Sequence, residues 1–129
     1  MILDTSVLVA LLKGGADADE AIGRLDENGD RVTTTIITAY ELLRGVYMSS
    51  NIERNLAEVH ELLSNLEILD LTLEACEDAS KIHRDLKKSG CLIGEFDVLI
   101  AAIARTRAET IMTRDDHFSR VQGINVAKW

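Results

Sequence analysis

Glu95-Phe96-Asp97-Val98-Leu99-Ile100-Ala101-Ala102-Ile103-Ala104-Arg105-Thr106-Arg107, residues 95–107, is apolar on nearly every side. A helix of that kind is expected between layers and not on a surface. Behind it, Thr110-Ile111-Met112-Thr113 reads as a strand, and Ile124-Asn125-Val126 as a further short one. Ahead of it, Thr72 to Ser89 places Leu73, Cys76, Ala79, Ile82, His83 and Leu86 on one helical face, with Gly90 as the stop. Leu66 to Leu71 alternates as another strand. At the beginning, Met1-Ile2-Leu3 reads as a strand and Asp4-Thr5-Ser6 as a polar turn, with a helix from Val7 to Leu12 that ends at Gly14-Gly15. A helix over Asp17 to Glu27 then feeds the β-branched run Val32 to Ile37. Thr38-Ala39-Tyr40-Glu41 has the form of a capping box opening a helix through Leu42, Leu43 and Val46, and Ile52, Leu56, Val59, Leu62 and Leu63 mark a longer one. Strands alternating with helices predict an α/β sandwich with a mainly parallel sheet of four to five strands, because parallel strands need crossover helices.

The remaining composition narrows the class. With 129 residues, 47% hydrophobic and 28% charged, the chain is sized for one domain spanning 1–129 and can bury a core without staples. Cys76 and Cys91 stand far apart, with no CxxC pair and no histidine at ligand spacing, which argues against a disulfide framework and a zinc site. No stretch approaches the ~20 apolar residues of a membrane helix, and Asp4 interrupts any signal-peptide core, so a soluble, cytoplasmic protein is expected. A net charge of −8 argues against binding nucleic acid through a broad basic surface; a local site remains open.

Four acids fall where strands end or helices begin. Asp4 ends the first strand, Glu41 follows the second within a helical turn, Asp97 enters the apolar helix, and Asp115 follows the fourth strand. In a parallel sheet the C-terminal strand ends share one edge, where ligands collect. Each acid also has a purely structural explanation: an N-cap for Asp4, a capping-box partner of Thr38 for Glu41, helix-dipole complementation for Asp97, and a turn start for Asp115. Asp97 resists that explanation most, since Ile100, Ala101 and Ala104 share its face. Converging carboxylates would have raised pKa values and would oppose folding unless a cation neutralised them. Without histidine or cysteine ligands, such a set suits Mg²⁺ or Mn²⁺, and the chemistry that fits is phosphodiester hydrolysis.

The chain resembles the PIN-domain ribonucleases, and within them the VapC toxins of prokaryotic toxin–antitoxin pairs. The resemblance runs along essentially the whole chain. It rests on Asp4-Thr5-Ser6, on Glu41-Leu42-Leu43-Arg44-Gly45 as E-L-x-x-G, on Asp97-Val98-Leu99-Ile100-Ala101-Ala102 as D-x-x-I-A-A approached by Gly90 and Ile93, and on Thr113-Arg114-Asp115 followed by Phe118. It implies a three-layer α/β/α fold and a Mg²⁺- or Mn²⁺-dependent endoribonuclease. Asp4, Glu41, Asp97 and Asp115 would be its catalytic, metal-binding acids, with Ser6 or Thr113 positioning a water or a carboxylate. It further implies a homodimer and a small VapB-like antitoxin in the active-site groove. Asp116 is a further acid in reach of the site.

Other residues carry weaker signals. Arg44, one turn after Glu41, suits either a scissile phosphate or a surface ion pair, and Arg114 has a lesser claim of the same kind. His117 adjoins Asp115 and has the chemistry to donate to a phosphate or act as an acid, although a turn histidine is more often solvated; His60 and His83 read as surface or boundary residues, and Lys81, Arg84, Lys87 and Lys88 as a solvated helix face. Apolar excess between Thr38 and Ser64, with Tyr40, Tyr47 and Met48, suits core packing, an antitoxin helix or a dimer interface. Two other functions compete. One is a phosphotransfer domain with Asp4 as nucleophile, weakened because only Arg114 and no lysine follows the fourth strand. The other is an inactive PIN-like scaffold whose acids bind a partner's basic tail, which gives no reason for keeping four carboxylates. The RNA target depends on groove shape and RNA structure and is not readable from a motif.

Overall fold

The computed structural model describes all 129 residues. Its strands are β1 (Ile2–Leu3), β2 (Thr33–Thr35), β3 (Glu67–Leu69), β4 (Thr110–Met112) and β5 (Asn125–Ala127). They form one parallel sheet in the order β3-β2-β1-β4-β5. Its helices are α1 (Thr5–Leu12), α2 (Ala16–Glu27), α3 (Ile36–Tyr47), α4 (Ile52–Ser64), α5 (Leu73–Lys88) and α6 (Glu95–Arg107), and a 3-10 helix covers Asp116–Arg120. No helix is long and apolar enough to cross a membrane.

Successive strand residues point to opposite faces, and the two cores follow from that. Ile2 and Ile111 enter a core completed by α5 and α6, through Ala79, Ile82, Val98 and Ile103. Their neighbours Leu3 and Met112 enter a second core with Val7, Leu8, Leu42 and Val59 from α1, α3 and α4. The result is the three-layer α/β/α sandwich. Helix α6 has the predicted bounds, and Ile100 through Ala104 are at most 1% exposed because the sheet lies on one side and α5 on the other. Its run of alanines lets those layers approach closely.

The β2–α3 junction differs from expectation. The strand stops at Thr35, and Ile36 and Ile37 already belong to the helix. Thr35 is the N-cap, its Oγ1 accepting the Thr38 N–H at 3.1 Å. The predicted Thr38–Glu41 capping box therefore does not form; Thr38 is buried in the first turn, and Glu41 is free to face elsewhere. A β-branched run favours a strand, and the cap geometry of a buried threonine overrides it. Thr33 and Thr34 stay in the interior strand by donating to the Met1 and Leu3 carbonyls. Thr35→Ala is expected to lower stability by about 1 kcal/mol through loss of the cap, read as a drop of a few degrees in melting temperature.

Elsewhere the boundaries shift by a residue or two: β3 ends at Leu69, β5 starts at Asn125, and α1 starts at Thr5. Gly14 closes α1 at φ +73°, a backbone region that glycine enters without a Cβ penalty.

Candidate active site

Strand order turns back between β1 and β4, since β2 and β3 lie to one side of β1 and β4 and β5 to the other. The crevice at such a switch point is where parallel α/β sheets take ligands. Asp4 leaves β1 at that edge, and Thr113 leaves β4 beside it.

Asp4 is only 4% exposed. One carboxylate oxygen accepts from Ser6 Oγ at 2.6 Å and from the Val7 N–H at 3.1 Å, so the residue also N-caps α1. The other accepts a short hydrogen bond from Thr113 Oγ1, which in turn receives the Asp115 N–H at 2.8 Å. The Thr113 hydroxyl thus ties the first acid to the fourth across two strands. Burial pushes the Asp4 carboxyl above its ordinary value, against the lowering effect of these donors.

Glu41 reaches the same edge from the second turn of α3. Thr5 Oγ1 donates to it at 3.0 Å and lies 3.3 Å from Thr38 Oγ1. Burial raises the Glu41 pKa; Thr5 and Arg44 lower it, and the charges of Asp97 and Asp4 raise it. Asp97 lies in the first turn of α6 and is raised by burial first, then lowered by His117 and raised by Asp115 and Asp4. Asp115 N-caps the 3-10 helix by accepting the His117 N–H at 2.9 Å. Three of the four acids therefore sit at helix N-termini, whose dipoles partly offset the crowding of like charge. The fields named above link all four as one electrostatic group.

Of the two readings of His117, a turn residue in solvent and a participant beside Asp115, its position favours the second. Its Nδ1 lies 3.3 Å from Asp97 Oδ2 and 3.2 Å from Asp115 Oδ1, half exposed at the crevice rim. Its position two residues after Asp115 was the only signal in the sequence. Asp97, Asp115 and His117 each offer a ligand atom, all within 4.8 Å of one another. Asp116, by contrast, turns out to solvent and pairs with Lys128 at 3.0 Å, which lowers its pKa. Arg114 turns away too: it stacks on Trp129 at 3.6 Å, donates to the Trp129 carbonyl and pairs with Asp17. Arg44 forms no ion pair and lies over the rings of Tyr40 and Phe96. Thr5, read at first only as part of the polar turn, is the residue that holds Glu41.

Chemically, this is an oxygen-rich, anionic crevice. Three raised carboxylates in one field fit a hard divalent cation, Mg²⁺ or Mn²⁺, and the flanking imidazole is a donor that Mn²⁺ accepts more readily. A nucleophilic role for Asp4 fits poorly, since both its oxygens already accept hydrogen bonds and no lysine or arginine bonds to it.

The PIN-domain family model matches residues 1–124. The chain is 32% identical over 129 residues to the ribonuclease VapC2 of Haemophilus influenzae, covering 99% of this chain and 96% of that one. It is 31% identical, with the same coverage, to the tRNA(fMet)-specific endonuclease VapC of Salmonella typhimurium. Its fold superposes with a TM-score of 0.92 and 26% identity on a chain of the crystal structure of VapBC2 from Rickettsia felis bound to a promoter DNA fragment, covering 99% and 97% of the two chains.

Proposed function

The chain belongs to the PIN-domain family, and we propose that it is a metal-dependent endoribonuclease, the toxin of a VapBC-type toxin–antitoxin pair. The observation that carries the proposal is the gathering of Asp4, Glu41, Asp97 and Asp115 at the β1–β4 switch point, three of them with raised pKa values. In this reading these four acids hold Mg²⁺ or Mn²⁺. The ion, when bound, supplies a nucleophile near neutral pH and offsets charge on the phosphate.

The chain's own residues prepare that chemistry. Ser6, the Val7 amide and Thr113 fix the Asp4 carboxylate in one rotamer, and Thr5 fixes Glu41, so little reorganisation is left to the reacting complex. His117, with Nδ1 3.3 Å from Asp97 and 3.2 Å from Asp115, spans these two carboxylates at the crevice rim and orients them. Asp116 stays outside this machinery, held by Lys128.

The antitoxin has a suitable berth. A groove of about 360 Å³ floored by Val9, Leu12, Leu42, Val46 and Val59 runs between α1, α3 and α4 up to Thr5 and Glu41. An apolar face of a VapB-like helix placed there would leave its chain end at the acids. A complex with such a partner, as in the Rickettsia felis pair, is supported by the match in fold. A homodimer in the cytoplasm completes the proposal.

The test is cleavage of fluorescent mixed-sequence single-stranded RNA, and of tRNA(fMet) in parallel, with Mn²⁺, Mg²⁺ or chelator. Cleavage with either metal and none with chelator is expected. Intact RNA under every metal condition, or cleavage that survives chelation, overturns the assignment.

A further inference from the structure

Three side chains beside the acids have no part in the mechanism above. Tyr40 immediately precedes Glu41, and Phe96 immediately precedes Asp97. Their rings meet edge to face, with centroids 5.6 Å apart and planes at 87°. Arg44, one turn along α3, lays its guanidinium over both, 5.4 Å from the Tyr40 centroid and 5.2 Å from that of Phe96. Aromatic residues make up only 4% of this chain, yet two of them stand here.

The cluster is poorly suited to being a mere clasp between α3 and α6. Tyr40 is 53% exposed and Arg44 is also exposed, whereas a packing contact would be covered. The donors of Arg44 find no protein acceptor, unlike those of Arg105, which are spent on Asp78 and the Gln122 carbonyl. The Arg44 charge is nevertheless felt at Glu41. Between Phe96 and the acids lies an open cavity of about 350 Å³, lined by Glu41, Gly94, Glu95, Phe96 and Asp97. A polyanion approaching a chain of net charge −8 gains most from a cation whose donors are free and which stands at the acids themselves.

We propose that Tyr40, Arg44 and Phe96 seat one unpaired nucleotide adjacent to the bond being cut, its base stacked on the aromatic–guanidinium surface and its phosphate hydrogen-bonded by Arg44. This rests on the ribonuclease reading and deepens it by naming the residues that position the substrate beside the cut. A base held in a duplex cannot offer its face to Tyr40, so the site takes loops, ends and single strands; every base has a π-face, so it does so with little sequence preference.

The experiment uses one RNA of fixed sequence, chosen from the mixed pool as the one the wild type cuts fastest. Single abasic nucleotides are placed in turn on either side of the cut, and cleavage is compared between intact and lesioned RNA within each protein. One position is expected to cost the wild type about 10-fold, within the range of base–aromatic stacking. Tyr40→Ala loses a similar factor on intact RNA and becomes indifferent to that lesion, while Tyr40→Phe keeps the wild-type pattern. Arg44→Gln reduces the salt slope of binding by about one. Because the intact-to-lesioned ratio is taken within one protein, a smaller folded fraction cancels. Equal lesion penalties in wild type and Tyr40→Ala at every position overturn the nucleotide seat and leave the ribonuclease standing. Failure of the wild type to cut any RNA overturns both.

Discussion

Asp97→Asn is expected to abolish RNA cleavage while raising the melting temperature of the metal-free protein. The substitution keeps the side chain's shape and an oxygen that still accepts from His117, so the first turn of α6 has no reason to move. It removes one unit of negative charge from a site where Glu41, Asp115 and Asp4 all lie within its field. Burial is the largest cause of the raised Asp97 pKa, so the neutral amide relieves desolvation as well as repulsion. Loss of an outer-sphere partner alone costs a metal site about 10- to 100-fold, so loss of a direct ligand, the role proposed for Asp97, is expected to cost at least about 100-fold in cleavage. Activity assays and thermal denaturation in chelator, on the same preparation, separate the outcomes. Undiminished cleavage removes Asp97 from the site, and lost cleavage with a lowered melting temperature reports a damaged fold instead.

What could be read from the sequence is what local pattern fixes, and what could not is what depends on the docking of distant elements. Asp4, Asp97 and Asp115 stand at junctions that hydrophobic periodicity locates well: each apolar run stops or starts beside them, so their meeting at one sheet edge follows from parallel topology. The bounds of α6 followed for the same reason, since its apolar residues run unbroken to the arginines at its end. The β2–α3 junction is ambiguous in sequence because Thr and Ile at 33–37 satisfy both a strand and a capped first turn, and only the buried Oγ1 of Thr35 decides. Contacts between residues far apart in sequence lay beyond local pattern: Thr5 to Glu41, Thr113 to Asp4, and Arg44 over Phe96 each depend on how layers dock. The sequence puts His117 beside Asp115, but its contact with Asp97 depends on α6 docking next to the turn.

The metal-free protein is expected to lose stability as pH rises, and a divalent ion to restore it most at the high end. Asp4, Glu41 and Asp97 all have folded-state pKa values above those of the unfolded chain. Between the ordinary carboxylate range and the raised values the folded state therefore holds more protons than the unfolded one, and unfolding free energy falls with increasing pH through that window. Above the raised values the penalty is complete: three carboxylates are charged in a confined crevice. Asp116 acts in the opposite sense, its lowered pKa favouring the folded state above the ordinary range, but it is fully exposed beside Lys128 and solvent screens it. Mn²⁺ held by these acids would bind the folded, deprotonated site and compete with the same protons, so its expected effect grows across the window in which they leave. At about 100 times its dissociation constant it adds about 2.7 kcal/mol, roughly 10 °C for a chain of this size. Melting curves from acid to mildly alkaline pH, in chelator and in Mn²⁺, should diverge as pH rises. Parallel curves, or no effect of Mn²⁺ at any pH, contradict a cation site at these acids. Asp97→Asn should flatten the chelator curve and shrink the Mn²⁺ gain together, because one carboxylate is responsible for part of both.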